Sequence, residues 1–210
     1  MPCSGDELEV CGSSYRMNAY GPIFRSIEPN QVVYEHEVLH QYFELNIDLK
    51  LEENTLDTEA NIFGQMVQDE TYPNVGSQIP AAFLKPNSMV IEVCMQVNNG
   101  NLCRPLFDAI EAGVWFNLYI EQWCYTPNDT VCVLYVFKDN QTQFFWNNYS
   151  PTTFYYVQGI IGNTYGGKFA AASGQYKNFQ LKYYETRDSP SDKIDMDAID
   201  LTEAANFVAE

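Results

Sequence analysis

Between residues 42 and 52 the chain alternates without a break, with Phe43, Leu45, Ile47, Leu49 and Leu51 set against Glu44, Asn46, Asp48, Lys50 and Glu52. A period of two sends these sets to opposite faces of an extended chain, whereas a helix would scatter them around its circumference. The segment is therefore a half-buried strand, and its partners must supply both a second apolar layer and neighbouring edges. Strand-like segments follow at 61–67, 78–84, 88–97, 102–107, 114–124, 131–137, 142–146, 154–161 and 176–185. They are rich in β-branched and aromatic residues and are punctuated by Gly, Pro, Asn and Asp. Some ten short strands at this spacing predict an all-β chain folded as an antiparallel β-sandwich.

Of the 210 residues, 46% are hydrophobic and 15% aromatic, which excludes disorder of the whole chain. Lys and Arg number 11 against 28 Asp and Glu, a net charge of −17. That sign repels nucleic acid and anionic membranes, so neither is an expected partner. No apolar run reaches the 18 residues that suggest a bilayer-spanning helix. A protein partner, a second copy or a glycan remains. The expected division is an irregular stretch with the first sandwich strand over 1–41, the sandwich over 42–188, and an acidic C-terminal segment over 189–210.

Six cysteines fall into three local couples: Cys3 with Cys11, Cys94 with Cys103, and Cys124 with Cys132. Reversals centred on Asn98-Asn99 and on Asn128 would set the second and third couples face to face across hairpins. Six cysteines allow 15 connectivities, and this one is the most economical. Each such bridge would contribute ~2.5 kcal/mol on the chain-entropy model. Three glycosylation acceptors, Asn128, Asn140 and Asn148, point with the cystines to a secreted or extracellular location. Residues 1–7 lack the basic start and apolar stretch of a signal peptide, so the expectation is a leader already removed, or a precursor that starts before Met1.

In the last segment Ile194, Ala198, Leu201, Ala205 and Val208 recur at spacings of four and three, with Ser191 placed to cap a helix. The same stretch can be read briefly as a strand. Either way it is an amphipathic acidic element suited to dock on a partner or a neighbouring copy.

Three segments in order resemble the concanavalin A-like jelly-roll superfamily, and in particular its laminin-G-like domains. The first is Phe43-Glu44-Leu45-Asn46-Ile47-Asp48-Leu49-Lys50-Leu51, followed by Asn61-Ile62-Phe63. The second is Ile79-Pro80-Ala81-Ala82-Phe83-Leu84, followed by Gly113-Val114-Trp115-Phe116-Asn117-Leu118. The third is Phe154-Tyr155-Tyr156-Val157, followed by Gly174-Gln175-Tyr176-Lys177-Asn178-Phe179. The resemblance implies a jelly roll acting outside the cell, binding glycans or proteins and assembling matrices. It implies no cofactor, although some such domains hold a rim Ca²⁺. Here Lys138-Asp139-Asn140-Gln141 stands where the usual Asp-Gly turn of that site would be.

Two constellations could carry chemistry. His36-Glu37-Val38-Leu39-His40 reads H-E-x-x-H, which on a helix presents two imidazoles to Zn²⁺ and a carboxylate to its water. A strand beginning at Tyr42 follows at once, and no other histidine exists to complete the site. The expectation is accordingly a pair of histidines on a strand or its approach. The β-glucanases of the resembled superfamily place Glu-x-Asp-x-Glu on one strand, and Glu44, Asn46 and Asp48 share one face in a similar row. The remaining resource is aromatic: Phe144, Phe145, Trp146, Tyr149, Phe154, Tyr155 and Tyr156 expose rings of both parities, suited to sugars or to protein contacts.

The sequence is thus read as a non-catalytic extracellular structural or adhesion glycoprotein module, a subunit that self-associates. The alternatives are a glycan-binding lectin, with or without calcium, and a hydrolase, acting through zinc at His36 and His40 or as a glycosidase through Glu44 and Asp48.

Overall fold

In a computed structural model the described residues are 8–11, 15–19, 24–69, 76–97, 100–124, 131–149 and 151–184, with the backbone alone described over 8–11 and 15–19 and at 96, 97 and 101. The strands are β1 (Leu8–Cys11), β2 (Tyr15–Ala19), β3 (Arg25–Ser26), β4 (Gln31–Leu39), β5 (Tyr42–Leu51), β6 (Ala60–Val67), β7 (Ala81–Leu84) and β8 (Ile91–Val97). They continue as β9 (Gly100–Pro105), β10 (Trp115–Cys124), β11 (Cys132–Lys138), β12 (Gln141–Asn148), β13 (Phe154–Ile161), β14 (Ala170–Ala171) and β15 (Gly174–Tyr184). Among the described residues there is no helix.

Two sheets result. The eight-stranded sheet runs β1-β2-β15-β5-β10-β11-β12, with β3 on β15; the seven-stranded sheet runs β4-β13-β6-β7-β8-β9, with β14 on β6. Apart from the short parallel contact of β14 with β6, every pairing is antiparallel. The chain is an all-β jelly-roll sandwich, as its alternation predicts. Leu45, Ile47, Leu49 and Leu51 of β5 are fully buried between the sheets, together with Leu118 and Ile120 of β10 and Leu181 of β15. Burying one such side chain contributes roughly 1.5–3 kcal/mol, and a period-two strand delivers four from β5 alone.

The stretch before residue 31, expected to be irregular, carries β1 and β2, which extend the eight-stranded sheet beyond β15. Its apolar residues are too few for periodicity to register, and the strand forms because β15 offers it a ladder.

The two cystines among the described residues are Cys94–Cys103, directly opposed on β8 and β9, and Cys124–Cys132, directly opposed on β10 and β11. Cys3 lies outside the described residues, and its expected bond to Cys11 with it. Asn128 and the docking stripe Ile194, Ala198, Leu201, Ala205 and Val208 lie outside them too.

The outer face of the seven-stranded sheet is covered by the chain itself. The 162–169 segment lays Tyr165 and Phe169 on Phe83, with ring centroids 6.0 and 5.1 Å away, over Ala81 and Cys94. Gly64 makes this possible, because a Cβ there would collide with the Tyr165 hydroxyl. Asn61, fully buried, holds the segment's start: its Oδ1 accepts the Asn163 backbone N–H at 2.7 Å while its Nδ2 donates to the Phe63 and Ala82 carbonyls. No such cover lies among the described residues over the centre of the eight-stranded sheet.

Candidate functional site on the open sheet

The open face is built by three neighbouring strands. β10 alternates Phe116, Leu118, Ile120 and Gln122 inward with Trp115, Asn117, Tyr119, Glu121 and Trp123 outward, the inward set being buried and most of the outward set half-buried. Registers then fix who meets whom: Asn117 lies opposite Asp48, Tyr119 opposite Asn46, and Glu121 opposite Glu44. On the other side of β5, Lys177 faces Asp48, Gln180 faces Asn46 and Lys182 faces Glu44. A polar lane two strands wide runs between aromatic residues at both ends.

Toward the Trp123 end two carboxylates share one row. Glu44 is 8% and Glu121 5% exposed. Glu44 Oε1 accepts the Tyr184 hydroxyl at 2.9 Å and Oε2 stands 3.7 Å from the Lys182 ammonium. Glu121 Oε2 accepts both the Tyr119 hydroxyl at 2.7 Å and the Trp123 indole N–H at 3.1 Å. Burial, and then the charges of Glu121 and Glu44, push the Tyr119 phenol far above its ordinary range. It therefore stays a proton donor at any physiological pH.

Trp123 closes this end, tilted against Tyr184 at 5.1 Å and Tyr42 at 5.9 Å. Trp115 closes the other, with the Lys177 ammonium 4.5 Å above its ring and Phe24 beside it at 6.2 Å. Eight residue steps along β10 separate the two indoles, about 27 Å of extended strand.

The predicted glycosidase pair is rearranged. Glu44 lies on the face as expected, but Asp48 is engaged, its two oxygens accepting Asn117 Nδ2 at 2.8 Å and Asn178 Nδ2 at 2.6 Å. The carboxylate facing Glu44 is Glu121, which the single-strand pattern could not reveal because it comes from another strand.

The zinc reading is corrected outright. His36 lies on β4, not on a helix, and points into the sandwich, where its Nδ1 lies 3.3 Å from the Tyr183 hydroxyl and its ring stacks on Tyr34 at 4.8 Å. Glu37 is exposed on the opposite face. Strand alternation thus separates the acid from the imidazole it would have to serve. Among the described residues the one cluster with metal-like spacing is Glu92, Cys94 and Cys103, and its two sulfurs are bonded to each other. In the turn that stands in place of the family's Asp-Gly turn, Asp139 accepts the Asn117 N–H at 2.8 Å and lies 3.8 Å from the Lys138 ammonium.

Asn140 stands exposed at the turn between β11 and β12. Asn148 is 1% exposed, and its Nδ2 donates to Gln122 Oε1 at 3.1 Å.

No family model and no curated protein sequence matches the chain. Solved structures match in fold. A native heptameric SAP-like pentraxin from Limulus polyphemus is 13% identical, with a TM-score of 0.50 over 80% of this chain and 75% of that one. An endo-β-1,4-glucuronan lyase from the fungus Trichoderma reesei is 13% identical, with a TM-score of 0.48 over 83% of each chain. A sialidase from Trypanosoma rangeli is 12% identical, with a TM-score of 0.49 over 70% of this chain and 21% of that one. These likenesses show the fold alone, a jelly-roll β-sandwich of the kind the resemblance implies, and single out no laminin-G-like branch. The expectation of a chain without catalysis is corrected to an open one, because this fold does not decide the chain's own activity.

Proposed function

We propose that the protein is a secreted, carbohydrate-recognising β-sandwich whose ligand lies along the open face of the eight-stranded sheet. The observation that carries this reading is the row of Trp115, Tyr119 and Trp123 on β10 beside the lane of Asn46, Glu44, Asn117 and Glu121. Sugars present flat C–H faces and pairs of hydroxyls together. Rings cover the first, and carboxylates and amides accept from or donate to the second. The two cystines support passage through an oxidising compartment, and the exposed Asn140 is the acceptor such a route would modify.

A glycan microarray followed by titration calorimetry tests the reading. Wild-type protein should bind a defined glycan class, and Trp123→Ala should weaken it about tenfold or more while leaving the thermal midpoint within a few degrees. Silence on the array, or unchanged binding by Trp123→Ala, rejects it.

A second reading rests on the facing pair Glu44 and Glu121. Directly opposed residues on antiparallel strands have Cβ atoms about 4.5–5.5 Å apart, which suits the close carboxylates of retaining glycoside hydrolysis, about 5–5.5 Å apart. Glu44, beside a lysine, would act as the nucleophile, and Glu121, walled by an indole and a phenol, as the acid. Release of sugar by wild type and its loss in Glu121→Gln, with glycan binding retained, would favour it. Binding without turnover in the wild type would leave recognition alone.

A further inference from the structure

A sheet that does not close on itself ends in strands whose outer backbone groups are unpaired, and proteins guard such edges with charge, proline or brevity. The two sheets have four ends: β1 and β12 in one, β4 and β9 in the other. Three are guarded. β1 is four residues long and contains Glu9; β4 bears the exposed Glu35 and Glu37; β9 bears the exposed Arg104 and ends on Pro105.

β12 is different. Its eight residues, Gln-Thr-Gln-Phe-Phe-Trp-Asn-Asn, contain neither charge nor proline, in a chain where 19% of residues are charged. Its ladder with β11 is regular from Phe144 to Asn148. Among the described residues no strand pairs with its other side. Two buried polar atoms on this strand, Gln143 Oε1 and Trp146 Nε1, have no hydrogen-bond partner among the described residues.

We propose that β12 is a self-pairing edge, through which two copies of the chain join antiparallel about a two-fold axis and merge their eight-stranded sheets. Its own composition selects the occupant. With the axis at Phe145, Phe145 meets its own copy, Phe144 lies opposite Trp146, and the Asn147 amide of one copy comes up to Gln143 of the other. Rings meet rings, amides meet amides, and faces are conserved, because directly opposed residues of an antiparallel pair share a face. Charge argues the same way. Two bodies of −17 repel, so they can meet closely only along a line without like charges in apposition, and β12 is that line. A basic partner would be drawn to the acidic edge β4 instead.

Sedimentation velocity on the full chain tests the proposal. The wild type should sediment as a dimer at about 50 µM. Gln141→Lys/Asn147→Lys, which adds guarding charges at an exposed and a half-exposed position, should weaken dimerisation about 100-fold with little change in thermal midpoint. Phe145→Lys, which sets two ammonium groups together on the axis, should do the same. A wild type that stays monomeric at that concentration overturns the proposal, and so does a lysine variant that dimerises as tightly. A monomer whose β12 amides resist hydrogen exchange until residues 185–210 are deleted also overturns it, by giving the edge to the chain's own C-terminal segment.

Discussion

Glu44 and Glu121 stand directly across from one another on adjacent strands, 77 residues apart in sequence, each held by aromatic donors on a sheet face that is otherwise half open. Structure alone gains little from this, since like charges set opposite one another on a sheet are destabilising.

Replacing one of the two should therefore relieve the fold. Glu121→Gln keeps an oxygen that can accept from Tyr119 and Trp123 while removing the charge. It should raise stability by about 0.5 kcal/mol at neutral pH in urea unfolding. A loss of more than about 1 kcal/mol would show that the carboxylate charge itself is structural.

Inside the sandwich, Tyr34 of β4 lies over Gly159, its cross-strand partner on β13. A methyl group at 159 would occupy the space of the Tyr34 ring. Gly159→Ala should cost about 3 kcal/mol, and Tyr34→Leu in the same chain should recover part of that loss. Simple addition of the two losses in denaturant unfolding would refute the contact.

The next residue in that row is Gln65 of β6, fully buried, with neither end of its amide hydrogen-bonded among the described residues. Leaving a buried polar group unsatisfied costs about 1–3 kcal/mol, so Gln65→Met, of similar volume, should raise the melting temperature. A fall instead would mean that the amide has a partner.

Burial drives the phenols of Tyr34 and Tyr119 above their ordinary pKa, with further upward pushes from Tyr183 on the first and from Glu121 and Glu44 on the second. Above pH ~10 the unfolded chain loses these protons and the folded chain keeps them, so stability present below that pH is lost as pH rises. The slope should be about 1.4 kcal/mol per pH unit for each phenol. Absorbance titration should show both silent until the protein unfolds; reversible ionisation in the folded state near pH 10 would contradict their burial.

Much of this was legible beforehand. The period-two run of β5 names its core residues, but not which sheet face the chain leaves uncovered. The local cysteine couples at 94 and 103 and at 124 and 132 were readable because a hairpin sets its partners within a few residues. What periodicity cannot supply is register between distant strands, since it says which face a residue takes and not whom it meets. Hence Glu44 was seen and Glu121 was not, and Asp48 was credited with a freedom that Asn117 and Asn178 remove. For His36 and His40 the expected strand holds: a four-residue spacing brings two imidazoles one turn, about 6 Å, apart on a helix, whereas along a strand it spans about 13 Å, and His40 lies just beyond β4.

The tyrosine and phenylalanine laid over Phe83 leave this protein with a front and a back. A molecule with one broad side bare among the described residues approaches a polymer flat rather than gripping it between jaws. Two such molecules joined edge to edge in one continuous sheet would turn both bare sides the same way, so a fibre or cell coat carrying repeated sugars would meet a doubled footprint and hold it by avidity.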